Sequence, residues 1–335
     1  MSHPKMHLLS WSIARALPAL AAVCGSAFAA DDKAAVSLPD VAVVETRLPA
    51  LGETQIDRAA LLRSRSSTGD TATLLGNLPG VSLYGAGGVS SLPAIHGLAD
   101  DRLRIKVDGM DLIASCPNHM NPALSYLDPS NVSALKVYAG IAPVSAGGDS
   151  IGGTILAETP EPEFAASGQG RLIKGQLGSF FRSNGNAHGV NFSASYATET
   201  VSASYSGALG QADNYQAGGQ FKVATATGRV GHDVPLDEVG SSAYRSQNHA
   251  FGLALKSANH LLEAKLGVQD LPYQLYPNQR MDMLDNAQHR ANLRYRGQFD
   301  WGALDARVYR ETVKHLMDFG ADKRYWYGTL SGAGA

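Results

Sequence analysis

A compact α+β domain followed by antiparallel transmembrane β-barrel strands is the fold class this sequence predicts, and three observations predict it. Residues 1–29 read as an export signal. No later stretch approaches the 18 or so consecutive apolar residues that a membrane-spanning helix needs. From about residue 168 the chain settles into run after run of alternating apolar and polar residues. Such a sheet, apolar on one face and polar on the other, is either half-solvated or a barrel with lipid outside and water inside. After an export signal, and over eight successive runs, the barrel is the better account.

The elements follow in order. Lys5 and Arg15, the apolar run from Ala16 to Val23, and Ala27-Phe28-Ala29 make a basic start, a short hydrophobic core and an A-x-A cleavage site. Residues 30–50 are a flexible lead containing one β-branched run, Val41-Ala42-Val43-Val44-Glu45, able to pair with another protein by strand addition. Residues 51–165 form the compact unit. In it Thr71 to Leu75 is a short helix stopped by Leu78-Pro79-Gly80-Val81, and Arg102 to Val107 is a strand ending at the turn signal Asp108-Gly109. Val132 to Val137 is a further strand, and the pairs Gly147-Gly148 and Gly152-Gly153 mark a tight bend around Ile151. Residues 166–335 supply the first eight or nine barrel strands, from runs at 171–178, 190–196, 201–206, 220–230, 249–256, 261–268, 290–299 and 303–313.

The formal charge of −2 is mild, and no basic stripe supports nucleic-acid binding. No nucleophile–base spacing or H-E-x-x-H motif is present, so the chain is not expected to be an enzyme. Cysteine is the more informative residue. Cys24 lies in the export signal, which leaves Cys116 without an internal partner, in the run Cys116-Pro117-Asn118-His119-Met120. A lone thiol in an oxidising compartment is a liability unless it is shielded or occupied. A thioether and an imidazole stand beside it, and sulfur with imidazole suits copper.

Four ordered landmarks, Leu78-Pro79-Gly80-Val81, Ile95-His96-Gly97-Leu98, Val107-Asp108-Gly109 and Gly147 to Ile155, resemble those of the plug domain of TonB-dependent outer-membrane receptors. The resemblance covers about residues 40–335, with His96 standing where that family usually has arginine. It implies an α+β plug inside a 22-stranded barrel, a place in the outer membrane among its lipids, and TonB as energy-coupling partner, contacting Val41, Ala42, Val43, Val44 and Glu45. Within the family, the C-x-x-x-M run at Cys116 and Met120 and the H-x-M run at His315-Leu316-Met317 are similar to those of copper receptors of the OprC/NosA type. That likeness implies a copper ion, in its reduced state, bound by Cys116, Met120, His315 and Met317 between plug and barrel wall.

The chemistry of these residue types is compatible with that implication. On a strand, His315 and Met317 face one side and Leu316 the other, toward lipid. Cys116 and Met120 align either on a helix or in a tight loop, since Pro117 permits both. His119, Met281 and Met283 are candidates for a second layer or a relay. Against the resemblance, 22 strands need on the order of 400 residues after the plug, so the barrel is expected to be incomplete, as in a truncated product. The competing readings are a receptor for a metal chelate or other small nutrient, a non-functional truncated chain, and a secreted or periplasmic copper-binding protein.

Overall fold

The computed structural model describes residues 52–323, apart from 57, 66, 113, 149 and 228. The export signal and Val41 to Glu45 lie outside the described residues.

The first part is a small α+β domain. Its strands are β1 (Glu53–Gln55), β2 (Val81–Gly85), β3 (Ser91–Ile95), β4 (Leu103–Val107), β5 (Met110–Asp111), β6 (Ala134–Ala139) and β7 (Gly153–Glu158), with one α-helix, α1 (Arg58–Ser64). Five strands make a mixed sheet in the order β1-β6-β7-β4-β5, and β2 pairs with β3 in a separate hairpin. Asp70 caps the 3-10 turn Thr71–Leu75, accepting from the Ala72 N–H at 3.0 Å and the Thr73 hydroxyl at 2.8 Å. Gly80 ends the following bend with φ +77°. Asp108 and Gly109 both take positive φ, 49° and 71°, as a two-residue type I′ turn requires, and return the chain from β4 to β5. Leu75, Ile95, Val107, Leu124, Leu135 and Ile155 are all 0% exposed and form the centre of the core.

The second part is a meander of long strands: β8 (Leu172–Arg182), β9 (Ala187–Ala197), β10 (Val201–Ala212), β11 (Tyr244–Ser257), β12 (His260–Gln274), β13 (Asp282–Phe299) and β14 (Gly302–Asp318). Each is antiparallel to its neighbours in sequence, and the sheet runs from β14 to β8 without closing. Among the described residues there are seven barrel strands, where eight or nine were expected. The run 220–230 is not a strand of this sheet. It lies in the long connection 213–243, where Val223 and Val230 are fully exposed, and alternation with no face to bury does not hold a strand in a sheet.

Turns 198–200, 258–259 and 300–301 lie at one end of the sheet, and connections 183–186, 213–243 and 275–281 at the other. The outer face exposes Leu177, Phe192, Phe251, Leu266, Leu293, Val308 and Leu316, whereas Glu263, Gln269, Asn286, Gln288 and Asn292 are buried on the inner face. That division is the one a lipid-facing barrel wall needs. At the short-turn end Phe299 stacks on Trp301 at 5.0 Å, in the manner of an interfacial aromatic girdle.

The α+β domain is tied to the inner face of β12 and β13 by polar contacts. Gln269 donates to the Ser125 carbonyl at 2.9 Å, Arg290 to the Tyr126 carbonyl at 2.8 Å, and Asn292 to the Asp108 carbonyl at 3.1 Å. The Lys265 ammonium reaches the Asp108 carboxylate at 3.1 Å and the Thr159 hydroxyl at 2.7 Å. Asp108, Thr159, Lys265 and Asn292 border a cavity of about 420 Å³ between the Asp108-Gly109 turn and the wall. A Cβ on Gly109 would stand 1.5 Å from Arg307 Nη1, on a backbone at φ +71°. Arg307 can swing aside, but the left-handed backbone cannot be relieved. Gly109→Ala is therefore expected to cost about 1–2 kcal/mol, read as a lower urea midpoint of unfolding.

Candidate metal centre

Cys116 to Met120 forms a tight turn rather than a helix. The His119 N–H donates to the Cys116 carbonyl at 2.9 Å, and His119 adopts φ 51°. Pro117 takes the second position of that turn, where its fixed φ is favoured. The Ser90 hydroxyl donates to the Met120 carbonyl at 3.0 Å and anchors the end of the turn. The result places Cys116 and Met120, 6% and 5% exposed, in one apolar cluster with Leu271, Tyr276 and Met283.

The wall supplies the other side. Met317 packs against this cluster, and its direct cross-strand partner is Met283, which is 0% exposed. Leu316 points the other way and is 55% exposed, as strand alternation requires. An irregularity between Met283 and Asp285 shifts the register of β13 and lets both Met283 and Asn286 be buried. Met281 precedes β13 and is partly exposed, outside the cluster. The two methionines therefore do not form a single inward-facing strand pair.

His315 stands opposite Asn286 in the register, with Nδ1 3.4 Å from Asn286 Oδ1. Asn286 Oδ1 also accepts from Asn121 Nδ2 at 3.4 Å, and Asn121 directly follows Met120. The imidazole is thus linked to the plug turn through two amides. Its Nε2 is buried with no hydrogen-bond partner among the described residues. A ring whose Nδ1 is engaged by an amide oxygen presents Nε2 as a lone pair, the form in which histidine ligates metals. His119 points elsewhere, its Nε2 lying 3.7 Å from the exposed Asp101 carboxylate.

The candidate donors are therefore one thiol and the thioethers of Met120 and Met283 in a buried cluster, the thioether of Met317 packed against it, and one imidazole on the same strand as Met317. Among the described residues, no group of three or more His, Cys, Asp and Glu side chains could hold a metal. Thiol and thioether sulfur with one imidazole is a donor chemistry that suits cuprous ion. Sequence reasoning missed Tyr276, Asn286 and Asn121. Tyr276 sits in a loop with Tyr273 close by, and the two amides face inward among several others. Nothing in spacing or composition marks them.

Burial pushes the Tyr276 phenol well above its usual range, and the nearby Tyr126, Cys116 and Asp282 act in the same direction. The hydroxyl therefore stays a proton donor, and it lies 3.9 Å from Met283 Sδ.

Residues 51–154 match the family model of the TonB-dependent receptor plug domain. No curated protein sequence matches the chain. Among solved structures, the copper transporter OprC superimposes with a TM-score of 0.65 at 23% identity, over 82% of this chain and 39% of its own. The FrpB iron transporter from Neisseria meningitidis gives 0.60 at 18% identity, over 77% and 40%. The ferric enterobactin receptor PfeA from Pseudomonas aeruginosa gives 0.58 at 17% identity, over 79% and 41%. The chain spans about two fifths of the length of these receptors, and at such identities the likeness is one of fold.

Proposed function

We propose that this chain, which carries a TonB-dependent receptor plug domain at residues 51–154 and the plug-and-barrel fold of such receptors, binds copper ions for TonB-driven import across the outer membrane. One observation carries the copper reading: Cys116 and Met120 on the plug share a buried cluster with Met283 of the wall, Met317 packs against that cluster, and His315, two residues before Met317 on the same strand, keeps a buried Nε2 without a hydrogen-bond partner among the described residues. The similarity to a solved copper transporter supports it.

In this reading Cys116 supplies a thiolate, Met120 and Met317 thioethers and His315 the imidazole, with Met283 as a further sulfur on the path. Because the ligands come from two bodies, the ion cannot leave until plug and wall separate at the site. Pulling on Val41 to Glu45 by TonB is the proposed source of that work. A receptor for a ferric or other chelate is the alternative in the same fold, and two of the similar structures are an iron transporter and a ferric enterobactin receptor. The closed cluster favours a bare ion over a chelate, since Cys116, Met120 and Met283 are each at most 6% exposed.

The test is copper bound per purified chain. Wild type is expected to retain about one cuprous ion, and Met317→Ala and His315→Ala to lose most of it in the same wash. Equal copper in all three would exclude this site. Recovery in the detergent-extracted outer membrane, with uptake dependent on TonB, separates a receptor from a secreted copper-binding protein.

A further inference from the structure

The end of the sulfur cluster toward the long connections is covered by a loop residue that none of the metal-binding motifs includes. The connection 275–281 joins β12 to β13 at the same end of the sheet as 213–243. Its neighbours Leu275 and Pro277 are partly exposed and Asn278 is exposed, yet Tyr276 is 0% exposed and lies inside the cluster with Cys116, Met120 and Met283. A wholly buried aromatic ring in a surface loop is an anchor, and this one is seated on the metal donors themselves. Its hydroxyl lies 3.9 Å from Met283 Sδ and occupies that sulfur as a weak acceptor.

The backbone around the ring is held on both sides. The Tyr276 N–H donates to the buried Asp282 carboxylate at 2.8 Å. The Tyr276 carbonyl accepts from the Lys323 ammonium. The same ammonium reaches the Gln279 carbonyl at 2.7 Å and stands 3.5 Å from Asp282. Asp282 also accepts from the Ser241 hydroxyl at 3.0 Å. The clamp therefore joins three segments: the 275–281 loop, the 213–243 connection and the chain just beyond β14.

We infer that Tyr276 is a removable cap that closes the sulfur cluster to the outside and withholds Met283 until a soft ion displaces it, with the Lys323–Asp282 pair holding the cap shut. The inference deepens the copper reading and rests on it for the identity of the ion. Its selectivity follows from hydration. A hard cation that keeps its water shell gains nothing by displacing the phenol, whereas a cuprous ion exchanges water for sulfur. Closure over Cys116, by contrast, is a property of the metal-free protein.

The experiment is the rate at which a charged, membrane-impermeant maleimide modifies Cys116 in the metal-free full chain, with the modified residue identified by peptide mass. Wild type is expected to react slowly, and Tyr276→Ala at least about tenfold faster, because opening the loop then exposes the thiol more often. Tyr276→Phe keeps the ring and is expected to react at the wild-type rate. Lys323→Gln loosens the clamp without touching the cluster and is expected to accelerate labelling as well, so the idea remains testable if Tyr276→Ala does not fold. Equal rates in wild type, Tyr276→Ala and Lys323→Gln would overturn the cap. Cuprous ion added before the maleimide is expected to protect Cys116; failure to protect would sink the copper reading while leaving the closure result intact.

Discussion

Cys116→Ala is expected to weaken cuprous-ion binding by at least about 100-fold, more than the 10–100-fold that loss of a ligand's supporting partner usually costs. In the proposed site Cys116 is the thiol, and a thiolate is the strongest donor that cuprous ion can find among these residues. The fold should survive, because the side chain is small and removing one buried sulfur costs about 1 kcal/mol of packing. Competition against a chromophoric cuprous chelator measures the first effect and urea unfolding the second. A variant that keeps wild-type affinity would make Cys116 a core hydrophobe and nothing more. Met120→Leu sharpens the comparison, since it keeps the volume and removes only the thioether.

The second large effect is expected where Asp108 meets Lys265 at the plug–wall contact. Burial alone would push the Asp108 carboxyl up. The Lys265 ammonium, with the Thr159 N–H and hydroxyl, outweighs burial and holds it below the usual carboxylate range. A carboxyl depressed in the folded state contributes stability that is fully present above its unfolded value of about 3.9 and is lost as pH falls through the lower folded value. Docking of the plug in the wild type is therefore expected to hold at about pH 5 and to weaken below about pH 4. Lys265→Met leaves a buried carboxylate without its cation and is expected to cost about 3–5 kcal/mol at neutral pH. In that variant burial dominates, the carboxyl rises, and part of the loss should return on acidification. The urea midpoint as a function of pH reads both signs, and a variant with an unchanged midpoint across that range would remove Asp108–Lys265 from the account.

Much of the fold is written in local residue patterns. Asp108-Gly109 announces a two-residue turn because few other pairs accept positive φ twice, and the turn is there. Leu262-Glu263-Ala264-Lys265-Leu266 places Glu263 and Lys265 on the inner face and Leu266 on the outer one, by period two alone. The same period places Leu316 outside and Met317 against the cluster. Where the pattern misled, a tertiary condition decided. Residues 220–230 alternate but have nothing to cover them, so they remain a connection.

The irregularity after Met283 depends on pairing with β14, which no local run encodes, and Met281 parts from Met283 because it lies just before β13 begins, a boundary their spacing hides. Local sequence allows Cys116 to Met120 either a helix or a loop, and the bond from the His119 N–H to the Cys116 carbonyl makes it a tight turn. Tyr276 and the Asn121–Asn286 link are products of packing between segments far apart in sequence, and residue type alone could not single them out.

The central claim is that one cuprous ion bridges plug and wall through sulfur and imidazole. X-ray absorption of the purified chain loaded with one equivalent of cuprous ion tests it most directly. The account predicts a first shell dominated by sulfur with a single imidazole nitrogen, losing sulfur in Cys116→Ala and its nitrogen signature in His315→Ala. A shell of nitrogen and oxygen alone, or one unchanged by both substitutions, would contradict it.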